Sequence, residues 1–520
     1  MGSTFMGLET ARRGLTTQQS ALYTTGHNIS NANTIGYSRQ RVNMEATLGY
    51  PGTGLNAPKI AGHLGTGVQA GSIQRIRDQF VDRQYRQETT KLGYWETRSN
   101  AISQIEDIVT EPSDFGMNAA LDQFWSSLHD LSGSPENAAT RKVVVQQALH
   151  VAESFNYTHK QLSDIQANIG NEIKVSTDDI NSILKQIASL NEQIQAVEPN
   201  GYLPNDLYDA RDVLVDELSQ YIPIEITHAP SGGNAQAIAE GSLTVSIKLS
   251  KGDPIVLVKG KDYASLSTLD TSAPIPPDTN VLDGTDLSAG FDQIKVTGMG
   301  NVNGGTIIYD QLEPSRGKLV SLIDSYGHGN PKKGYFPETL AKLDQMANAF
   351  KEEFNKIHKL GYTLKEEGPP VTNSVLGGDF FESTGAFDIK VSDLIKNNPN
   401  LIAVSNAAGE VGNGKNAILL ANMKFNKLGG LNGATVQSFY QGVIGQLGVD
   451  GEQANRLTTN AGTILLTVAN NRASVSSVSL DEEMTNMITF QQAYNANARM
   501  ITVVDETLDK IINGMGRVGL

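Results

Sequence analysis

The chain of 520 residues contains no cysteine, which excludes disulfides, thiolate metal sites and thiol nucleophiles together. No apolar run approaches the roughly 18 residues that a membrane-spanning helix needs, so no insertion into a membrane is expected. Positive charge is in deficit: 41 Lys and Arg stand against 56 Asp and Glu, a formal charge of -15, which argues against a nucleic-acid partner because phosphate binding needs a basic face. The eight histidines are scattered and form neither a His-Glu-x-x-His pair nor a Ser/His/Asp order, so no catalytic site, cofactor or metal ligand set is expected. The opening Met1-Gly2-Ser3-Thr4-Phe5 has no basic stretch followed by an apolar core, which predicts no cleaved leader and, taken alone, a cytoplasmic protein.

What the chain does have is two ends that match. At the C-terminus Leu480, Met484, Met487, Gln491, Tyr494, Ala498, Ile501, Asp505, Leu508 and Ile512 alternate in steps of four and three. Leu8, Ala11, Leu15, Gln18, Leu22, Thr25 and Ile29 keep the same rhythm at the N-terminus. That spacing predicts two helices pairing as a coiled coil, although an ordinary amphipathic helix on a core shows it too. The polar members Gln18, Thr25, Gln491 and Asp505 weaken the seam and suggest ends that pair only on assembly.

Between the ends the pattern changes several times. Residues 40–75 are rich in Gly and Pro and read as extended segments and turns. From Gln79 to Val197 the apolar spacing is helical, and its last part, residues 141–197, is long enough for a rod-like bundle, with Gly170 as a possible break. Strand language follows in Ile222-Pro223-Ile224-Glu225-Ile226 and Leu243-Thr244-Val245-Ser246-Ile247, with a proline-rich loop at 271–278. Helix returns from Phe336 to His358 and again from Val436 to Ile512. The expected fold is mainly α with an inserted β-rich domain. Its terminal helices form a coiled coil on a long-helix bundle, in a discontinuous multidomain chain of 1–75 plus 475–520, 76–221 plus 336–474, and 222–335.

Several stretches imitate chemistry. Residues 409–416 have P-loop spacing, but Asn416 cannot supply the hydroxyl that holds Mg²⁺ and reads as a helix N-cap. Asp206, Asp209, Asp212 and Asp216 interleave with Leu207, Leu214 and Leu218, the pattern of a solvated amphipathic face. Asp283-Gly284-Thr285-Asp286 lacks the closing Glu of a calcium loop and reads as a turn. His358 ends a helix, where a protonated imidazole is favourable.

The segment after the first stripe is the most specific: Asn28-Ile29-Ser30-Asn31-Ala32-Asn33-Thr34-Ile35-Gly36-Tyr37-Ser38-Arg39. Asn and Ser bond backbone groups at a helix end, and Gly36 frees the chain to turn before Tyr37 starts an extended stretch. This run resembles the signature of the bacterial flagellar axial proteins, the rod, hook and junction family, with Ser30 where Ala is usual, and its signature residues are Asn28, Asn31, Asn33, Gly36, Tyr37 and Arg39. Further stretches at 5–13, 204–218, 354–361, 380–381, 412–417 and 479–484 resemble the junction members of that family more than its hook or rod members.

The resemblance implies a non-enzymatic adaptor between hook and filament, cytoplasmic before type III export and extracellular afterwards. Its implied partners are copies of itself in a ring or tubular layer, the hook protein, the second junction protein, an export chaperone and the export apparatus. The implied assembly interface is Leu8, Ala11, Leu15, Leu22 and Ile29 with Leu480, Met484, Met487, Tyr494, Ala498, Ile501, Leu508 and Ile512. The implied chaperone contacts are Met484, Met487, Phe490, Tyr494, Met500 and Ile501. Another axial component, or an enzyme carried on an axial scaffold in the β-rich insert, stays open as an alternative.

Overall fold

The computed structural model describes residues 5–52, 62, 64–109, 116–270, 291–312, 317–329, 332–364 and 374–514. Helix α1 (Met6–Ser30) leads into an antiparallel ribbon of β1 (Gln40–Ala46) and β2 (Val68–Arg75). Helices α2 (Gln79–Val109), α3 (Met117–Gly133), α4 (Ala138–Val197) and α5 (Asn205–Tyr221) follow. Six strands come next: β3 (Ile224–Ala229), β4 (Ser242–Ile247), β5 (Ile255–Lys259), β6 (Asp262–Asp270), β7 (Phe291–Gly298) and β8 (Gly305–Ile308). The chain then makes α6 (Lys318–Tyr326), α7 (Tyr335–His358), the short strands β9 (Phe381–Glu382) and β10 (Lys390–Val391), and α8 (Asp393–Asn397). It ends with α9 (Lys415–Asn422), α10 (Val436–Ser476) and α11 (Leu480–Asp509). This is the mainly helical fold with an inserted sheet that the periodicity predicts. The proline-rich loop and the Asp283–Asp286 turn lie outside the described residues.

Helix α4 is the axis of the body. The Asn137 side chain accepts from Ala139 N at 2.8 Å and starts it, and Val144, Ala148, Val151, Phe155, Leu162, Ile169, Ile173, Ile180, Leu184, Ile187 and Ile194 give it a buried stripe along its whole length. Its 60 residues make a rod roughly 90 Å long. The break expected at Gly170 does not occur: the glycine is buried within a continuous helix, because packing on both sides outweighs the cost of about 1 kcal/mol for one glycine.

The first half of α4 packs with α3 and α7, while its second half lies under the sheet. The sheet is an antiparallel meander in the order β3-β4-β5-β6-β7-β8. Val245, Ile247, Leu257, Ala264, Leu266, Ile294, Val296 and Ile307 form its buried face. Two asparagines of α4 lock the layers together. Asn181 accepts from Leu266 N at 2.7 Å and donates to Leu266 O at 2.9 Å, and Asn191 does the same to Leu243 at 3.0 and 2.9 Å. The stretch expected as strand-rich up to residue 335 is corrected in its last part. Among the described residues the strands end at Ile308, and Leu319, Val320, Leu322, Ile323 and Tyr326 form helix α6, buried against α2 and α4. A short apolar run does not tell a strand from a buried helix.

A cluster of aromatic rings fills the other end of the body. Phe124, Phe155, Phe350, Phe354, Phe380 and Phe381 are fully or almost fully buried, with Phe380 and Phe381 4.8 Å apart. His358 sits beside Phe354 and Phe380, and this corrects the charged helix end expected of it. Its Nδ1 bonds Gly378 O at 2.8 Å, and its Nε2 accepts from Ala403 N at 2.9 Å, so the ring is neutral. Burial drives its pKa down to about 4. Asn416 is corrected too: Gly414 precedes the helix, the Asn413 side chain accepts from Lys415 N, and the buried Asn416 amide donates to Ala403 O at 2.7 Å.

The same body holds an opposing group. Burial raises the Asp324 carboxyl to about 6, against the hydrogen bond donated by Tyr94 OH. As pH falls from 6.5 to 4 the unfolded chain takes up the proton that His358 refuses, costing about 3 kcal/mol, while over the same window folded Asp324 gains one ahead of the unfolded chain and offsets a similar amount. Asp324→Asn is therefore expected to lose about 3 kcal/mol more stability than the parent between pH 6.5 and 4, read by urea unfolding at each pH.

Candidate functional site

Helices α1 and α11 lie antiparallel along each other. The α carbon of Gly7 faces Val504, that of Gly14 faces Asn497, and Asn28 bonds Glu483, so the register runs the full length of the pair. Small residues let the backbones approach: a Cβ on Gly14 would stand 2.7 Å from Asn497 Oδ1. The other side of α1 is covered by the ribbon, where the Thr17 hydroxyl bonds Val68 O at 3.2 Å.

This geometry shifts half of each predicted stripe by one residue. On α11 the covered positions are Glu483, Met487, Phe490, Tyr494, Asn497, Ile501, Val504 and Leu508. Met487, Tyr494, Ile501 and Leu508 thus lie in the seam, and Ala498 is half-buried at its edge. Leu480, Met484, Met500 and Ile512 are instead 48%, 58%, 54% and 70% exposed. Gln491 and Asp505 face solvent and do not weaken the seam at all. On α1 the buried positions are Ala11, Gly14, Thr17, Ala21, Thr24, Thr25 and Asn28, whereas Leu8, Leu15, Leu22 and Ile29 are half-buried beside them. Steps of three and four can be entered in either order, and the pair uses the order that brings small and polar residues between its large apolar ones.

The signature residues close the end of the pair. Asn28 is not a helix stop but a buried bracket. Its side chain accepts from Gln40 N at 2.9 Å and from Tyr37 OH at 2.8 Å, and donates to Gln40 O at 2.8 Å and Glu483 Oε2 at 3.0 Å. The Asn31 amide caps the helix on His27 O, and its oxygen accepts from Thr34. Asn33 is exposed. Gly36 takes φ +80, and a Cβ there would stand 2.1 Å from Val213 Cγ2, so only glycine fits. Arg39 bonds Glu483 at 2.7 Å and Glu482 at 2.6 Å, while its N donates to Ser476 O.

Next to this bracket lies an ionic clasp. The acidic run of α5, expected in solvent, is its core: Asp209 and Asp212 are buried. Asp212 accepts from Arg75 at 2.7 Å, Arg77 at 2.9 Å and Arg86 at 3.1 Å. Asp209 holds Arg75 at 2.8 Å and both the N and the hydroxyl of Ser38. Arg472, near the end of α10, reaches Asp82 at 2.7 Å and Asp216 at 2.6 Å. Arg211 and Arg75 both pair with Glu240 from the sheet domain. Burial pushes the Asp212 carboxyl up, but the surrounding guanidiniums of Arg75, Arg77, Arg86 and Arg211 hold it far below the usual range, whereas burial keeps Asp209 raised. The clasp ties ribbon, α2, α5, α10 and sheet at one point. The four carboxylates of α5 were visible in the sequence, but their arginine partners are spread over residues 75–472 and carry no local pattern.

A model of the flagellar hook-associated protein FlgK helical domain matches residues 102–381. Models of the flagella basal body rod protein and of the flagellar basal body rod FlgEFG protein C-terminal region match 8–37 and 470–514, the two paired ends. Flagellar hook-associated protein 1 of Bacillus subtilis is 43% identical over 535 residues, covering 99% of each chain. The chain belongs to the FlgK family of flagellar hook-associated proteins. It is a structural component of the bacterial flagellum that assembles with other axial components. The Escherichia coli K12 member is 26% identical over 97% of this chain. The flagellar hook junction protein FlgK from Burkholderia pseudomallei shares the fold, with a TM-score of 0.56 at 14% identity over 76% of this chain and all of that one.

Proposed function

We propose that the terminal unit, residues 1–75 with 475–520, assembles into a repeating layer that adapts hook to filament outside the cell. The observation that carries this is the outer face of α11. Leu480, Met484, Ile488, Met500 and Val503 are all at least 48% exposed on a helix already paired with α1, and Ile511 and Ile512 just beyond its end are 46% and 70% exposed, which is more apolar surface than one isolated subunit needs. Repeating head-to-tail contacts between such faces, together with the half-buried Leu8, Leu15, Leu22 and Ile29, give a ring or tube. The hook protein and the second junction protein are its neighbours above and below, and the sheet domain within 222–335 points outward.

Before export through the type III apparatus the chaperone contacts α11. Met487, Phe490, Tyr494 and Ile501 are covered by α1, whereas Met484 and Met500 are open, so a chaperone touching all six captures α11 before it pairs with α1. Electron microscopy of cells lacking the gene, with an assay of the medium for free flagellin, tests the junction role. Bare hooks and soluble flagellin are expected. Missing hooks would assign the chain to rod or hook, and normal flagella would refute an axial role.

A further inference from the structure

A cleft of about 440 Å³ lies between the edge of the sheet and the first turns of α2, apart from the terminal face used for assembly. One wall is β3, the outermost strand, which pairs with β4 alone. Lys248 N donates to Pro223 O at 3.2 Å, and this fixes the alternation along the strand. Residues 225, 227 and 229 give their main-chain groups to β4, while Ile224, Ile226 and His228 turn theirs outward. Among the described residues no hydrogen bond reaches those outward groups. Unused N–H and C=O groups along a straight edge are a template for another strand, and the β3–β4 register runs without a bulge to twist the edge away.

The opposite wall is a polar stripe on α2. Arg83, Gln87 and Lys91 stand four residues apart on one face. The stripe is roughly 12 Å long, and the outward edge from Ile224 to His228 roughly 13 Å. Arg83 is exposed and has no carboxylate partner among the described residues, and Lys91 pairs only within its own helix, with Glu88 at 2.8 Å. The deeper cations Arg75, Arg77 and Arg86 are held by the clasp. Glu225 and Glu240 also line the cleft, but Glu240 is taken by Arg75 and Arg211, so the accessible Arg83 and Lys91 opposite the open edge complement an extended segment that carries carboxylates.

We propose that this cleft is a strand-addition site for an extended acidic segment of a partner protein. The segment's main chain pairs with Ile224, Ile226 and His228, and its alternate side chains reach Arg83 and Lys91.

The test measures fluorescence anisotropy of a labelled, end-capped Glu-Val-Glu-Val-Glu-Val peptide with the full chain. Binding about tenfold tighter than that of the Lys-Val counterpart is expected. His228→Pro removes one outward N–H and leaves the β4 ladder intact, so it should weaken binding about tenfold, as should Arg83→Glu at low salt. N-methylating the peptide valines probes the same bonds without altering the protein. Equal binding of the Lys peptide, no effect of both His228→Pro and N-methylation, or no binding at all would overturn the proposal. Protection of 224–229 from deuterium exchange that rises with protein concentration alone would give the edge to a second copy, and likewise overturn it.

Discussion

Replacing Asp212 by Ala is expected to destabilise the folded chain by about 3–5 kcal/mol. The exchange leaves Arg75, Arg77 and Arg86 facing one another in a site where their side chains are only 6%, 8% and 13% exposed. Each arginine keeps at least one other carboxylate, Asp209, Asp82 or Asp216, but the carboxylate shared by all three is gone and their mutual repulsion in a buried site is left uncompensated. Urea unfolding of the purified chain measures the loss, and proteolysis at 76–78 and 477–479 locates it. Asp206→Ala is the matched control. That carboxylate belongs to the same run but its side chain is 69% exposed, and its removal is expected to change stability by less than about 0.5 kcal/mol. Because the Asp212 pKa is lowered in the folded state, its contribution is complete above the unfolded carboxylate range and is lost only below about pH 4.

The second large effect is on assembly. Ile488→Asp combined with Met500→Asp places two charges on the outer face of α11, where the parent side chains are 58% and 54% exposed. The monomer is expected to unfold at an unchanged urea concentration, since neither position is covered. Cells carrying it are expected to lose swimming, show hooks without filaments and release flagellin, because a carboxylate buried between subunits costs several kcal/mol at each contact of a repeating layer. The pair Met487→Asp and Ile501→Asp acts differently. Those residues lie in the seam with α1, so the monomer itself is expected to become protease-sensitive at both ends. Normal filaments on cells with the outer-face variant would remove α11 from the assembly surface.

Fold class was legible because it rests on long periodic segments. The 60 residues of α4 and the alternating Leu243 to Ile247 each repeat one rule many times, so local accidents average out. The seam was legible only to within a residue. Its true members include Gly14, Asn28, Glu483 and Asn497, small or polar residues that a search for apolar side chains passes over. The clasp was not legible at all. Asp209 and Asp212 carry the spacing of a solvated face, and only the arrival of Arg75, Arg77 and Arg86 from the ribbon, the connector after it and α2 turns them inward. His358 misled for the same reason: the helix end was visible, and the loop that brings Gly378 and Ala403 to it was not.

The uninterrupted α4 also decides where the subunit can flex. A continuous helix shared by the aromatic end and the sheet works as a beam without a joint, so a bending load on the outer domain passes straight to the base. The chain itself crosses from that base to the paired termini through slender connectors, residues 76–78 after the ribbon and 477–479 between α10 and α11. Arg77 on one and Arg472 beside the other both close on Asp82. A layer whose subunits had to tilt against one another would therefore articulate at a pivot fastened by buried charge, which salt screens little, while the beam stays rigid.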